Sequence, residues 1–244
     1  MYSVLFCVVS CISICYCSFE KDKNSCGLLA EILETSSVSV EINKKGFHRD
    51  VVITIELSPD ALSGFRVLLA QRWPRGVYID PYQLASLSNQ SDWQILLDAA
   101  IDLEEPAHKT SGFVTYVYFT HEGPTPSQLR VTIPIHGRYQ KPSCDENAFA
   151  LVEIEPLELL LWTESGMQCD AGGSLTVVDA PCNPDNLSTC AWVKLKYCKD
   201  RGPLGLQFPV GDGSLETPVC AGTLLVTMIC CVALSKYIWE HRII

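Results

Sequence analysis

The feature that most constrains this chain is an uncharged segment near its C-terminus. No charged residue lies between Glu216 and Lys236, and the most apolar part, residues 219–235, is VCAGTLLVTMICCVALS. As a helix rising about 1.5 Å per residue, residues 217–235 would span about 28 Å. This length suits a thin bilayer such as that of the endoplasmic reticulum, whose hydrocarbon layer is about 27 Å thick. The segment therefore predicts a single transmembrane helix.

The flanking charges predict how this helix is oriented. Lys236 and Arg242 follow the segment, whereas Asp212 and Glu216 precede it. The positive-inside rule then places residues 236–244 in the cytosol and the bulk of the chain in the lumen. A removable lipid-anchor signal is the competing interpretation, but such signals end apolar, and the charged tail KYIWEHRII favours a spanning helix.

The N-terminus predicts entry into the secretory pathway. Residues 2–19 carry no charge, which is typical of a signal peptide, and small residues favour cleavage after Cys17 or Ser18. Residues 1–18 are thus assigned to a signal peptide. Because no Lys or Arg precedes the apolar run, a retained signal anchor is the alternative.

The cysteines predict disulfides in an oxidising compartment. Residues 19–216 contain six of them: Cys26, Cys144, Cys169, Cys182, Cys190 and Cys198. An even number allows up to three disulfides, and Cys182 and Cys190, which enclose the short loop NPDNLST, are the predicted pair. The equal spacing of Cys182, Cys190 and Cys198 lacks the close pairs of a zinc site.

Asn89 and Asn186 begin glycosylation sequons, in agreement with a lumenal surface.

The charge balance argues against a nucleic-acid partner. The formal net charge is −10, and the 18 Lys and Arg residues form no basic run.

The middle of the chain predicts an all-β lumenal domain. Runs rich in Val, Ile, Thr, Tyr and Phe occur at residues 38–42, 49–57, 65–71, 113–121 and 129–136, separated by clusters of Pro, Gly, Ser and Asn. Several alternate between apolar and polar residues, the pattern of half-buried strands, and such strands in a lumenal domain indicate a β-sandwich. Residues 92–103 are the one segment with a helical period. We assign residues 19–198 to this domain, 199–216 to a membrane-proximal stalk and 217–235 to the transmembrane helix.

Residues 73–84, WPRGVYIDPYQL, are explained by local structure alone. Trp73 to Gly76 fit a type I turn with Pro second, and residues 77–79 a short strand. Asp80 is placed to cap a helical turn, with Pro81 at the first helical position and Gln83 three residues after the cap. Leu84 and Leu87 are spaced to pack on the sheet.

A catalytic site is not apparent in the sequence. It contains no HExxH, G-x-S-x-G, Walker loop or D-x-D, the acidic pair that many sugar transferases use. Glu153, Glu155 and Glu158 fit a solvated strand face better than an acid–base pair. The densest polar groups, His48-Arg49-Asp50 and the trio His136, Arg138 and Tyr139, fit either a hydrogen-bonded corner or a partner-facing patch.

Five segments together resemble the PIG-X (Pbn-type) family. They are GFHRD (46–50), PRGVYIDPYQLASL (74–87), IPIHGRYQKP (133–142), CNPDNLSTCAW (182–192) and LQFPVG (206–211). Members of this family are accessory subunits of glycosylphosphatidylinositol (GPI) mannosyltransferase I. The resemblance gives no pairing for Cys169 and Cys198.

The resemblance implies a non-catalytic, single-pass protein of the endoplasmic reticulum membrane without a cofactor. It would bind and stabilise PIG-M, a multi-spanning catalytic subunit that adds the first mannose to the GPI precursor. The candidate partner-binding residues are His48, Arg49, Asp50, Arg75, Tyr78, Asp80, Tyr82, His136, Arg138 and Tyr139. Two alternatives remain: an adhesion or receptor module on a β-sandwich, and a glycan-processing enzyme in its own right.

Overall fold

The computed structural model describes residues 36–56, 65–88, 91–119, 128–144, 148–162, 176–195 and 202–241, without the side chains of Asn186 and Leu187. The strands in these ranges are β1 (Ser37–Asn43), β2 (His48–Glu56), β3 (Arg66–Trp73), β4 (Val77–Tyr78), β5 (Trp93–Leu97), β6 (Phe113–Phe119), β7 (Gln128–Gly137), β8 (Phe149–Ile154), β9 (Glu158–Trp162), β10 (Thr176–Asn183), β11 (Asn186–Leu195) and β12 (Leu204–Pro209). The helices are α1 (Pro81–Ser88) and α2 (Glu216–His241), the latter preceded by a 3-10 turn, Gly213–Leu215.

The strands form two sheets that pack face to face. One sheet has the order β1-β2-β7-β4, and the other has the order β10-β11-β9-β3-β6-β5. In β7 the apolar residues Val131 and Ile133 are buried while Arg130 and Thr132 are exposed, as expected for a strand with one face on a core. Buried residues of both sheets form one hydrophobic cluster. The predicted all-β domain with one C-terminal apolar helix is therefore confirmed.

The six-stranded sheet also buries part of its outer face. Leu68 and Leu160 belong to a second cluster that includes Trp192 of β11. The β10–β11 hairpin is fixed to this face by the Tyr118 hydroxyl, which donates to the Pro181 carbonyl at 2.9 Å. The hairpin is closed by the Cys182–Cys190 disulfide, which confirms that prediction.

A two-stranded ribbon of β8 and β12 completes the domain, and it corrects the stalk assignment. Residues 204–209 form β12 rather than a stalk, because Leu206 and Phe208 are almost completely buried in the main cluster. Alternate residues of β12 point inward, which is the pattern of a strand with one buried face.

The connection from β12 to the apolar helix is short and hydrogen-bonded. The Ser143 amide donates to the Gly211 carbonyl, and the Gly213 amide donates to the Ser143 carbonyl, at 3.0 and 2.9 Å. The carboxylate of Asp212 accepts from the Ser214 amide at 2.9 Å and so caps the 3-10 turn. The helical region Gly213–His241 is 29 residues long, with a mean hydropathy of 2.1 in its most apolar window, and it is long and apolar enough to cross a membrane.

The helical period at residues 92–103 indicated a helix, which the structure does not contain there. Residues 93–97 form β5, which pairs with β6 at the edge of the larger sheet. Trp93 is buried in the core, so tertiary packing overrides the local pattern in this segment.

Candidate functional site

Most of the candidate residues lie at one end of the domain, the end from which the apolar helix leaves. We call this group the helix-proximal cluster; it comprises Phe47, His48, Arg49, Tyr78, His136, Arg138, Tyr139 and Phe208. Three chain segments meet there because β2 begins opposite the end of β7, and β4 pairs with the last residues of β7. Pairing of His48 with His136 and of Tyr78 with His136 places the three aromatic rings side by side.

The two histidines form the centre of the cluster. Nδ1 of His48 lies 3.2 Å from Nδ1 of His136, and the ring of Tyr78 stacks on His136 with 5.0 Å between centroids. The other ring nitrogen of His136, Nε2, is 3.1 Å from Oε1 of Gln83 in α1. Burial lowers the pKa of His136, and proximity to His48 lowers it further, against an opposing effect of Asp80. These contacts favour a neutral His136 at neutral pH.

Arg138 is a buried cation without a carboxylate in direct contact among the described residues. It is 4% exposed, its Nη1 donates to the Glu105 carbonyl at 2.5 Å, and its guanidinium lies 5.0 Å from the centroid of Tyr78. Its Nε has no hydrogen-bond partner in the described part of the chain. Burial lowers the pKa of Arg138, while Asp102, Glu105 and Tyr78 raise it. The ring contact and the carbonyl therefore replace part of the hydration that this charge loses.

Arg49 connects the cluster to the strand that leads into the helix. Its Nη2 donates to the Gln207 carbonyl at 2.6 Å, its Nε donates to the Gly46 carbonyl at 2.9 Å, and its guanidinium lies 4.9 Å from the centroid of the Phe208 ring. Phe47 packs between Phe208 and Tyr139, with centroid distances of 5.7 and 5.4 Å. Burial lowers the pKa of Arg49.

The segment 73–84 folds largely as its sequence predicts. The Asp80 carboxylate accepts from the amides of Tyr82 at 2.8 Å and Gln83 at 3.4 Å, which confirms the helix cap. The turn lies one residue later than predicted. The Val77 amide donates to the Pro74 carbonyl, so Pro74 is the first residue of the turn and not the second. Leu84 is buried as predicted, whereas Leu87 is 37% exposed.

The candidate residues divide into those that reach the surface and those that hold the corner together. Tyr82 and Tyr139 are 82% and 78% exposed, and Arg75 is also exposed. Asp50 instead forms an ion pair with Lys44 at 2.7 Å, and Asp80 is occupied as the helix cap. The polar groups therefore form a hydrogen-bonded corner, which also carries exposed aromatic side chains.

Phe47 and Phe208 contribute to the cluster but were not among the candidates. Phe208 was missed because its segment was assigned to a stalk, although the apolar residues at 204, 206 and 208 have the period of a strand. Gln83 was expected to complete the helix cap, and its side chain instead contacts His136.

In the described ranges, no group of three or more His, Cys, Asp or Glu side chains is arranged to hold a metal ion. Cys144 is exposed and forms no disulfide with another described cysteine. Cys26, Cys169, Cys198, Asn89 and the side chain of Asn186 lie outside the described residues, as do the predicted signal peptide and the last three residues of the tail.

Comparison with known proteins gives a consistent result. The family model PIG-X / PBN1 matches residues 44–239. A human protein named "GPI alpha-1,4-mannosyltransferase I, stabilizing subunit" is 30% identical over 81% of this chain and 79% of its own length. A rat protein of the same name is 26% identical over 82% of this chain and 81% of its own length. Among solved structures, the major pilin subunit BcpA of Bacillus cereus matches at 7% identity with a TM-score of 0.33, over 72% of this chain and 56% of that chain, which is too low to support any conclusion.

Proposed function

This chain belongs to the PIG-X / PBN1 family, and from that membership we propose that it is the stabilising, non-catalytic subunit of a GPI mannosyltransferase I. The observation that carries the proposal is the similarity of most of the chain to proteins named as that subunit. The mannosyltransferase subunit that it stabilises would be PIG-M, which transfers the first mannose on the lumenal side of the endoplasmic reticulum membrane.

We assign partner contact to the helix-proximal cluster. A partner that spans the membrane exposes its short lumenal loops close to the bilayer, and the cluster lies at the end of the domain from which the helix leaves. Tyr139 of the cluster and Tyr82 of α1, which precedes the Gln83 that contacts His136, are large, rigid and exposed, as is typical of side chains that contribute strongly to protein interfaces. The buried contacts of Arg138, His136 and Tyr78 hold this surface in place.

The apolar helix would add a second contact inside the membrane. Ala221, Gly222, Thr223 and Thr227 are small residues that permit close approach of another helix. The hydroxyls of Thr223 and Thr227 already donate to carbonyls one turn earlier, Val219 at 2.9 Å and Thr223 at 2.7 Å. This helix face would therefore pack by shape rather than by hydrogen bonds to the partner.

Stabilisation follows from mass action. A subunit that binds the folded catalytic chain, and not the unfolded one, stabilises it by about 2.7 kcal/mol at a concentration of 100 times the dissociation constant. Deleting this chain from cells should therefore lower the level of the catalytic subunit in an immunoblot and reduce GPI-anchored proteins at the cell surface. Unchanged levels with normal mannosylation would contradict the proposed function.

A second experiment tests the assigned surface. Tyr82→Ala combined with Tyr139→Ala removes two exposed rings without disturbing the core, and Val177→Ala is the matched control because Val177 is exposed on β10, away from the cluster. Affinity purification in mild detergent should recover less catalytic subunit with the double variant than with the wild type or the control. Equal recovery from all three would exclude this surface but leave the family role intact.

A further inference from the structure

The outward face of the β8–β12 ribbon is apolar at one end and polar at the other. Residues opposite each other in an antiparallel pair share a face, so the outward pairs are Phe149 with Pro209, Leu151 with Gln207 and Glu153 with Gly205. Phe149 and Leu151 are 59% and 61% exposed, although both are large hydrophobic side chains. Apolar character therefore decreases along the ribbon from Phe149 to Glu153.

The apolar end is the one that leads into the membrane helix. β12 runs toward Pro209, and three residues, 210–212, separate Pro209 from the 3-10 turn. Three residues cover at most about 10 Å. The turn itself presents Leu215, which is 53% exposed, and the apolar helix follows directly.

Backbone hydrogen bonds fix the connection between β12 and the helix. The Val210 amide donates to the Ala148 carbonyl at 2.9 Å, and Ser143 exchanges backbone hydrogen bonds with Gly211 and Gly213. These bonds hold the start of the helix to the residues just before β8. A bilayer crossed by this helix would therefore have the Phe149 end of the ribbon at its surface.

From this arrangement we infer that the outward face of the β8–β12 ribbon lies in the headgroup layer of the lumenal leaflet, with Phe149 deepest. Apolar side chains gain free energy by insertion at the boundary between headgroups and acyl chains. The order from Phe149 through Leu151 to Glu153 matches the increase in polarity with distance from the acyl chains. Glu153 is the one charged residue among the six outward positions, so the expected ligand is a neutral phospholipid surface rather than anionic lipid. The inference depends on the helix spanning the bilayer and is independent of the mannosyltransferase partner.

Fluorescence quenching by brominated lipid tests the inference on the full-length chain in phosphatidylcholine nanodiscs. Trp239→Phe provides the background because Trp239 is 87% exposed on the helix, whereas Trp73, Trp93 and Trp192 are buried in the domain. The fifth tryptophan, Trp162 at the end of β9, is half-buried with the Arg66 guanidinium 4.9 Å from its ring centroid, and its signal is part of the same background in every variant. Into this background are introduced, one at a time, Phe149→Trp, Leu151→Trp, and the control Val177→Trp, which has the same 59% exposure as Phe149 but lies on β10.

Bromine near the glycerol end of the acyl chains should quench the added indole fluorescence most strongly in Phe149→Trp, less in Leu151→Trp and not in Val177→Trp. Leu225→Trp, in the middle of the apolar helix, should be quenched most by bromine near the chain ends. Quenching in Leu225→Trp without quenching in Phe149→Trp would overturn the inference while leaving the membrane span intact. Absence of quenching in both would overturn the span and the inference together.

A second measurement separates lipid from protein in native membranes. A photo-cross-linking phenylalanine analogue at position 149 should give no protein-sized adduct in microsomes, whereas the same analogue at position 82 reports partner contact. A protein adduct from position 149 would assign the ribbon to a partner chain and overturn the inference.

Discussion

The ring of Phe208 lies directly against the backbone of Gly137, so closely that a Cβ at position 137 would overlap the ring. The contact joins the last strand before the apolar helix to the end of β7, where the histidine and arginine side chains of the helix-proximal cluster begin. Two segments that are distant in sequence therefore share one close contact, and a side chain at position 137 would separate them.

Gly137→Ala should lower the free energy of unfolding of the lumenal domain by about 1–3 kcal/mol, the usual cost of overpacking a core. Gly202→Ala is the control, because a Cβ at position 202 has no heavy atom within 4 Å. Chemical unfolding of the full-length proteins in detergent, followed by tryptophan fluorescence, measures both. Equal midpoints for the two variants would show that Phe208 moves aside without cost.

Thr115→Val should destabilise the domain by about 1–3 kcal/mol because it leaves a buried donor without an acceptor. The Thr115 hydroxyl is fully buried and accepts from Nε1 of Trp73 at 2.9 Å. Thr132→Val makes the same chemical change at an exposed position of β7 and should have little effect. The thermal midpoints of the two variants, compared with the wild type, give the difference; a small effect at position 115 would contradict the importance of this hydrogen bond.

Replacing both Cys182 and Cys190 by serine should lower stability by about 2–3 kcal/mol, the loop-closure value for a disulfide with a sequence separation of 8. The β10–β11 hairpin should become the first part of the domain that a protease cleaves. Replacement of Cys230 and Cys231, which are exposed on the apolar helix, should change neither property. Limited proteolysis with mass mapping detects the cleavage site, and an unchanged hairpin would mean that Tyr118 and Trp192 hold it without the disulfide.

Stability should fall as the pH drops below about 6.5, the ordinary pKa of histidine. The pKa of His136 is lowered in the folded protein, so below 6.5 the unfolded chain takes up a proton that the folded chain does not. Protonation therefore favours unfolding between 6.5 and the lowered pKa, and the loss is complete below the lowered value. Stability from His136 is fully present above 6.5.

His136→Gln should remove that part of the pH dependence. His108→Gln, at an exposed position, should leave it unchanged. Unfolding free energies measured from neutral to mildly acidic pH test the two variants. A slope that persists in His136→Gln would show that another group causes the effect.

Much of the local structure could be predicted from residue patterns. Alternating apolar residues predicted most strands of the four-stranded sheet, and the order Asp80-Pro81 predicted the start of α1. The disulfide was predictable because only a short polar loop separates its cysteines. Residues 93–97 and 204–209 were misassigned because each is short, and only the neighbouring strands supply the burial that defines it as a strand.

The candidate site was only partly predictable. The residue types of GFHRD and HGRY indicated a polar corner, but side-chain burial decided which members are exposed. Arg138 is buried over Tyr78 although arginine is usually exposed, whereas Tyr82 in α1 is 82% exposed although it is a large aromatic residue. Gln83 contacts His136 because α1 lies beside the end of β7, a proximity that the spacing of the two residues in sequence does not indicate.

The sequence by itself determined the apolar helix, the β-rich character of the domain and the family, because hydrophobic period, uncharged length and specific motifs are local properties of a chain. Tertiary structure decided that β12 is part of the core, that four of the five family-like segments contribute to the helix-proximal cluster, and that an apolar ribbon leads to the start of the helix. These features depend on contacts between residues far apart in sequence, such as Phe208 with Gly137. The free energy of such contacts comes from the burial of surfaces that the chain brings together only when it folds.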